Sequence, residues 1–174
     1  MVFAVAACAA HPTATNAPTG TPTLTLDAGQ AGPTGPTERA TVVFVNDGDT
    51  IRVEIEDGRG AHPVRYIGID APENGGPYVP VEPFGPEAKH ANSEFVDQQA
   101  VVLEQDVSET DRFGRLLRYV WLDRPDGWLI VNEELVRQGL ATVTAFPPDV
   151  RYVDRLRAVQ QAARDAGRGV WSAD

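Results

Sequence analysis

Apolar and polar positions follow strand spacing from Ala40 to about Ile69, and beyond residue 83 the spacing turns helical in places. Ala40-Thr41-Val42-Val43-Phe44-Val45-Asn46 is a short β-branched run that predicts a strand. Asp47-Gly48-Asp49 predicts a tight hairpin turn, and residues 50–56 return with strict alternation. Asp57-Gly58-Arg59-Gly60 turns again and residues 62–69 predict a third strand, so the chain opens as a three-stranded meander. Residues 74–83 read as a loop by every local signal. Phe84, Ala88, Ala91 and Phe95 form one apolar stripe and predict a helix reaching about Gln98. Strands are expected over 101–107 and 116–122, then a helix over 129–138 stopped by Gly139. A short extended piece over 140–143 and a last helix over 150–166, stopped by Gly167, complete the chain. Five strands with helices inserted late predict an α+β fold, a small five-stranded Greek-key barrel capped by about three helices. A βαβ parallel sheet is excluded, because no helix separates the opening strands.

The amino end has a different texture. Residues 1–8 are apolar and finish in Val5-Ala6-Ala7-Cys8, which resembles a bacterial lipobox with an abbreviated leader. Residues 11–36 are rich in Pro, Thr, Ala and Gly and nearly free of charge, the composition of a flexible spacer. The expected organisation is a leader remnant and linker over 1–40 and a folded domain over 41–174. Cys8 is the only cysteine, so no intramolecular disulfide is possible. Export and a membrane tether through a lipidated Cys8 are expected, with a cytoplasmic location if Met1 is the true start. No apolar run approaches the ~20 residues of a membrane span.

With 174 residues and a formal charge of −10, the chain lacks the basic footprint of a generic nucleic-acid binder. An anionic substrate must be held locally, by clustered arginines or by a cation. Val64–Glu73 (V-R-Y-I-G-I-D-A-P-E) is where such chemistry gathers. Arg65 is a rigid fork suited to phosphate, Asp70 a hard-metal ligand and Glu73 a candidate base. Arg65 and Asp70 are an odd number of residues apart, so a straight strand would point them to opposite faces. A shared site demands a bend, and Gly68 is the expected place. The simpler alternative is an ordinary surface pair between Arg65 and Asp70. Asp49 projects from a hairpin mouth, and Arg115 enters an apolar strand from the charged turn Asp111-Arg112-Phe113-Gly114-Arg115.

The ordered set of segments is similar to the staphylococcal nuclease (thermonuclease) family. It comprises D-G-D-T at 47–50, R-Y-I-G-I-D-A-P-E at 65–73, F-G-P-E-A at 84–88 and D-R-F-G-R at 111–115. V-N-E-E-L-V-R-Q-G-L-A at 131–141 and G-V-W at 169–171 continue it, so the resemblance spans nearly the whole chain from Thr41. It implies an OB-fold barrel that hydrolyses DNA and RNA with Ca²⁺, leaving 3′-phosphates and 5′-hydroxyls. It further implies metal ligation by Asp49, Asp70 and the Ala71 carbonyl, phosphate contacts from Arg65 and Arg115, and Glu73 as general base. The implied partners are single-stranded or fraying DNA and RNA, with the protein acting as a monomer. Three carboxylates against two arginines repel phosphate until a divalent cation reverses the balance.

Three features depart from the family pattern. Phe113 stands where tyrosine is common, Thr144-Ala145-Phe146-Pro147 replaces a tyrosine-bearing stretch, and the chain is acidic. Phe146 is either a stacking residue or a core residue. Arginines 151, 155, 157, 164 and 168 read as a salt-bridged solvent face, since Asp154 and Asp165 interleave them. The competing function is a catalytically weak module of the same fold that binds nucleic acid or protein, which has no use for the full set of charged residues.

Overall fold

The first three strands of the computed structural model, which describes residues 31–172, are the expected meander: β1 (Thr37–Val45), β2 (Thr50–Ile55) and β3 (Gly60–Tyr66). The leader, Cys8 and most of the spacer lie outside the described residues. β1 also pairs with β5 (Ala100–Glu104), and β5 with β6 (Leu116–Arg124). β6 then runs parallel to β3, with Val64 opposite Leu116 and Tyr66 opposite Arg118, and this pairing closes the barrel. β4 (Ile69–Asp70) pairs with β8 (Thr142–Val143) in a separate ribbon, and β7 (Gly127–Ile130) extends the main sheet beyond β6. Three helices cap the barrel: α1 (Gly85–Val96), α2 (Val131–Arg137) and α3 (Val153–Asp165). Among the described residues no helix is long and apolar enough to cross a membrane.

Alternation explains which side chains fill the interior. In β2, Ile51, Val53 and Ile55 are buried while Arg52 and Glu54 face solvent. In β1 the register shifts between Val42 and Phe44, so Ala40, Val42 and Val45 all point inward despite their uneven spacing. β6 shows little alternation because both of its faces are covered. Leu116, Val120 and Leu122 join the barrel core with Leu135 and Leu156, whereas Tyr119 and Trp121 join an outer cluster with Ile67, Val102 and Ile130. Each such large side chain contributes about 1.5–3 kcal/mol on burial, against about 0–1 kcal/mol for an exposed ion pair. The core therefore holds the barrel, and the surface charges tune it.

Several boundaries differ from expectation. The boundary expected between residues 40 and 41 falls inside β1, and the chain is already packed before that strand begins. The backbone N–H groups of Thr34 and Gly35 donate to Oε1 of the fully buried Glu104 at 2.9 and 2.6 Å. The third strand is two pieces, β3 and β4, separated by a turn. Leu129 and Ile130 belong to β7 rather than to a helix, because Pro125-Asp126 turns the chain back along β6. The last helix begins at Val153. Three of the five arginines on and beside it are tied into the fold: Arg155 pairs with Glu133, Arg151 with Asp106 at 3.4 Å, and Arg168 donates to the Arg137 carbonyl at 3.1 Å.

Candidate active site

The turn that carries Asp49 is wedged between two other parts of the chain. A Cβ on Gly48 would lie 2.6 Å from the Ala71 Cβ and 2.8 Å from the Ala88 Cβ, so glycine is required here for close approach. Buried Asn92 on α1 donates from Nδ2 to the Asp47 carbonyl at 2.9 Å and accepts from the Tyr66 hydroxyl at 2.9 Å. Asp49 is thereby held in the protein, 6% exposed. Its Oδ2 accepts from the Ala71 N–H at 2.8 Å and faces Arg65 Nη1 at 2.9 Å, while Oδ1 accepts from the Thr50 hydroxyl at 3.1 Å. Burial pushes this carboxyl up to about 7, with Arg65 opposing and Asp47 adding to the rise.

The parity conflict between Arg65 and Asp70 is resolved at Gly68. β3 ends at Tyr66, Gly68 adopts φ +80°, and the chain restarts as β4. Asn132 of α2 fixes this bend, donating to the Ile67 carbonyl and accepting from the Val120 N–H, both at 2.9 Å. Arg65 and Asp70 do pair, Nη2 to Oδ1 at 2.6 Å, but the pair is no isolated surface contact. The same guanidinium bonds Asp49 and donates from Nη1 to the carbonyls of Ile69 at 2.8 Å and Tyr66 at 3.1 Å. The Arg65 side chain is 17% exposed and that of Asp70 is 60% exposed, so the arginine is fixed and the aspartate faces solvent.

Arg115 arrives from the turn 111–115. The Asp111 carboxylate accepts from the N–H groups of Phe113 and Arg115 at 2.9 and 3.0 Å and from Arg115 Nε at 2.7 Å. Burial raises the Asp111 carboxyl, but these bonds and the Arg115 charge outweigh it and the net shift is downward. Arg115 Nη1 donates to the Thr50 hydroxyl at 3.4 Å, and that hydroxyl donates to Asp49, which links the two arginine sites. Arg65 and Arg115 line one cavity of about 310 Å³, together with Gly68, Thr144 and Phe146. Phe146 is 72% exposed there, which removes the core alternative. Phe113 is also exposed and lies 5.5 Å below the Arg115 guanidinium.

Glu73 follows β4 and is exposed. Among the described residues its carboxylate makes no hydrogen bond or ion pair. Partial burial first, then the charges of Asp47, Glu82 and Asp70, raise its carboxyl above the ordinary range against the pull of Arg65. Its backbone is clamped: Glu73 N–H donates to Glu82 Oε2 at 3.0 Å, and a Cβ on Gly85 would sit 2.1 Å from the Glu73 carbonyl. The structure thus brings Asp49, Arg65, Asp70 and Ala71 into direct contact and joins Arg115 through Thr50. Glu73 stands beside this group without lining the cavity.

The donor set suits a hard cation. Asp49 and Asp70 lie within reach of one guanidinium, so a single cationic group can serve both, and the Ala71 carbonyl follows directly. Among the described residues no three acidic, histidine or cysteine side chains form a ready cage. A cation here would complete its shell with water and substrate oxygens.

Sequence reasoning missed the residues that position this group: Asn92, Asn132, Thr50, Asp111 and Gly85. Asn92 did leave a trace, since it lies four residues after Ala88 on an otherwise apolar helical stripe.

The sequence pattern of the family described as staphylococcal nuclease homologue matches residues 63–173. The chain is 39% identical over 131 residues to the thermonuclease of Staphylococcus hyicus, covering 75% of this chain and 74% of that protein. It is 36% identical over 127 residues to the thermonuclease of Staphylococcus intermedius, covering 73% and 72%. It is 38% identical over 128 residues to the endonuclease YncB of Bacillus subtilis, covering 72% of this chain and 58% of that protein.

Proposed function

The chain belongs to the staphylococcal nuclease family, and from that premise we propose that it is a Ca²⁺-dependent nuclease hydrolysing DNA and RNA to 3′-phosphate and 5′-hydroxyl products. One observation carries the reading. Two carboxylates, one from the turn between β1 and β2 and one from β4, share one guanidinium, at 2.9 and 2.6 Å, and that arginine lines the same cavity as Arg115.

Asp49, Asp70 and the Ala71 carbonyl would hold the cation, which when bound supplies the positive charge that lets a phosphate approach this acidic site. The remaining chemistry belongs to the chain. Arg65 and Arg115 face the cavity as two cationic forks, placed to neutralise charge that develops on phosphate oxygens. Arg65 reaches a phosphate by giving up Asp70, its solvent-facing partner, while Asp49 and the Ile69 carbonyl keep the guanidinium in place. Glu73 takes the proton of the attacking water. Its carboxyl is raised above the ordinary range, which makes it a stronger base than an ordinary glutamate, and among the described residues it has no competing partner. Phe146 offers an exposed ring to a base bound at the cavity.

The test is incubation of the purified protein with plasmid DNA and with RNA, in Ca²⁺ and in EGTA, followed by analysis of the product ends. Cleavage in Ca²⁺ alone, with terminal 3′-phosphates, is expected; cleavage in EGTA, or none in Ca²⁺, overturns the reading. An exported, lipid-tethered protein is part of the same proposal. Mass spectrometry of the native protein should then find a lipidated Cys8 as its amino terminus.

A further inference from the structure

A glutamate that takes a proton from water needs a fixed main chain and a free carboxylate. Glu73 has the free carboxylate, but β4 ends at Asp70 and no sheet ladder reaches residue 73. A short pairing within the loop that follows takes the ladder's place. Asn74 bridges Val81 in antiparallel register, and the next pair outward in that register is Glu73 with Glu82. The Glu82 N–H donates to the Glu73 carbonyl at 2.9 Å, one half of the exchange expected of such a pair.

The backbone does not supply the other half. The Glu82 carbonyl instead accepts from the Gly85 N–H at 3.0 Å, where the chain enters α1. Phe84, at that entry, has φ +68°, a left-handed conformation that costs a bulky residue free energy. The diverted carbonyl leaves the Glu73 N–H without its ladder acceptor, and Glu82 Oε2 accepts it at 3.0 Å. A side-chain carboxylate therefore stands in for a main-chain carbonyl, and one residue grips both backbone polar groups of Glu73. Glu82 is exposed, and among the described residues its carboxylate makes no ion pair and accepts no other hydrogen bond. It lines no part of the cavity shared by Arg65 and Arg115.

We propose that Glu82 is a positioning residue for the hydrolysis, its carboxylate holding the Glu73 main chain so that the Glu73 carboxylate meets the attacking water. The inference rests on the nuclease reading. It gives the loop between β4 and α1 a task in turnover, carried by one side-chain acceptor and exerted through Glu73.

The test compares Glu82→Ala with Glu82→Gln. Both remove the charge, and only glutamine keeps an acceptor for the Glu73 N–H. In the ¹⁵N-labelled protein, hydrogen exchange at the Glu73 amide should be about 5- to 10-fold faster in Glu82→Ala than in Glu82→Gln, the scale of one lost hydrogen bond. On a single-stranded oligonucleotide in Ca²⁺, kcat of Glu82→Ala should lie about 10-fold below that of Glu82→Gln. Their affinities for a nucleoside 3′,5′-bisphosphate should agree within about 2-fold, because phosphate is held elsewhere. In a Glu73→Ala background the two substitutions should give equal rates. Equal kcat in Glu82→Ala and Glu82→Gln overturns the inference, as does a loss of bisphosphate affinity that matches the loss of kcat. A rate difference that persists without Glu73 overturns it too. A wild type that cleaves nothing overturns the nuclease reading and this inference with it; the exchange comparison needs no turnover, so it separates that failure from one of the Glu82 contact itself.

Discussion

Arg65 is the residue through which the site is assembled. It bonds two carboxylates and two backbone carbonyls, so its removal leaves Asp49 buried without a cation. Arg65→Ala and Glu73→Ala are each expected to lower kcat/KM by at least ~100-fold, measured on a single-stranded oligonucleotide. The acid limb of the wild-type rate profile should reflect Glu73. A general base works when deprotonated, so the rate should rise with pH through a midpoint above the ordinary glutamate range, and Glu73→Ala should abolish that limb. Asp49 gives a stability test of opposite sense. Its folded carboxyl titrates at about 7, above the unfolded value of 3.8, so its contribution is fully present below about 4 and is lost as pH rises through 7. In EGTA, the Tm of Asp49→Asn relative to wild type should therefore increase from pH 4.5 to pH 8. Arg65, Asp70 and Asp49 were legible in the sequence because charge is out of place in or beside an apolar strand. Asn92 and Asn132 were not, because a buried asparagine looks like a surface one until its partners are known.

At the scale of elements, the site depends on where strands stop. A straight ladder from residue 62 to 69 would have separated Arg65 from Asp70; the break at Gly68 unites them. Gly68→Ala meets both an unfavourable φ, costing about 1–2 kcal/mol, and Leu156 Cδ1 at 2.9 Å. It should lower Tm and activity together. Gly85→Ala separates the two effects differently. Its Cβ would strike the Glu73 carbonyl, so the base itself must shift, and kcat should fall by a larger factor than the binding of a nucleoside bisphosphate weakens. The bend was readable from residue parity and one glycine. β7 was not readable, because Trp128-Leu129-Ile130-Val131 is one apolar run whose first part is strand and whose end is helix. Gly48 was read as a hairpin glycine, whereas its contacts show a packing role that spacing alone cannot reveal.

For the molecule as a whole, the order of barrel strands was legible from the helix-free opening meander, but closure through the parallel β3–β6 pair required coordinates, since neither strand advertises its partner. The acidity of the chain leaves the nuclease site dependent on local charge, so oligonucleotide binding should be lost in EGTA even at low ionic strength. Glu104 has a mechanical consequence of its own. This one carboxylate grips the backbone at Thr34 and Gly35 while also holding the Trp121 indole at 2.8 Å and the Tyr152 hydroxyl at 3.0 Å. A pull on the amino end is therefore delivered to the deepest tryptophan and to the root of α3 before it can peel β1 from its neighbours. If the chain does hang from a surface by its first residues, the leash is spliced into the keel of the barrel, and tugging on it leaves the groove undisturbed.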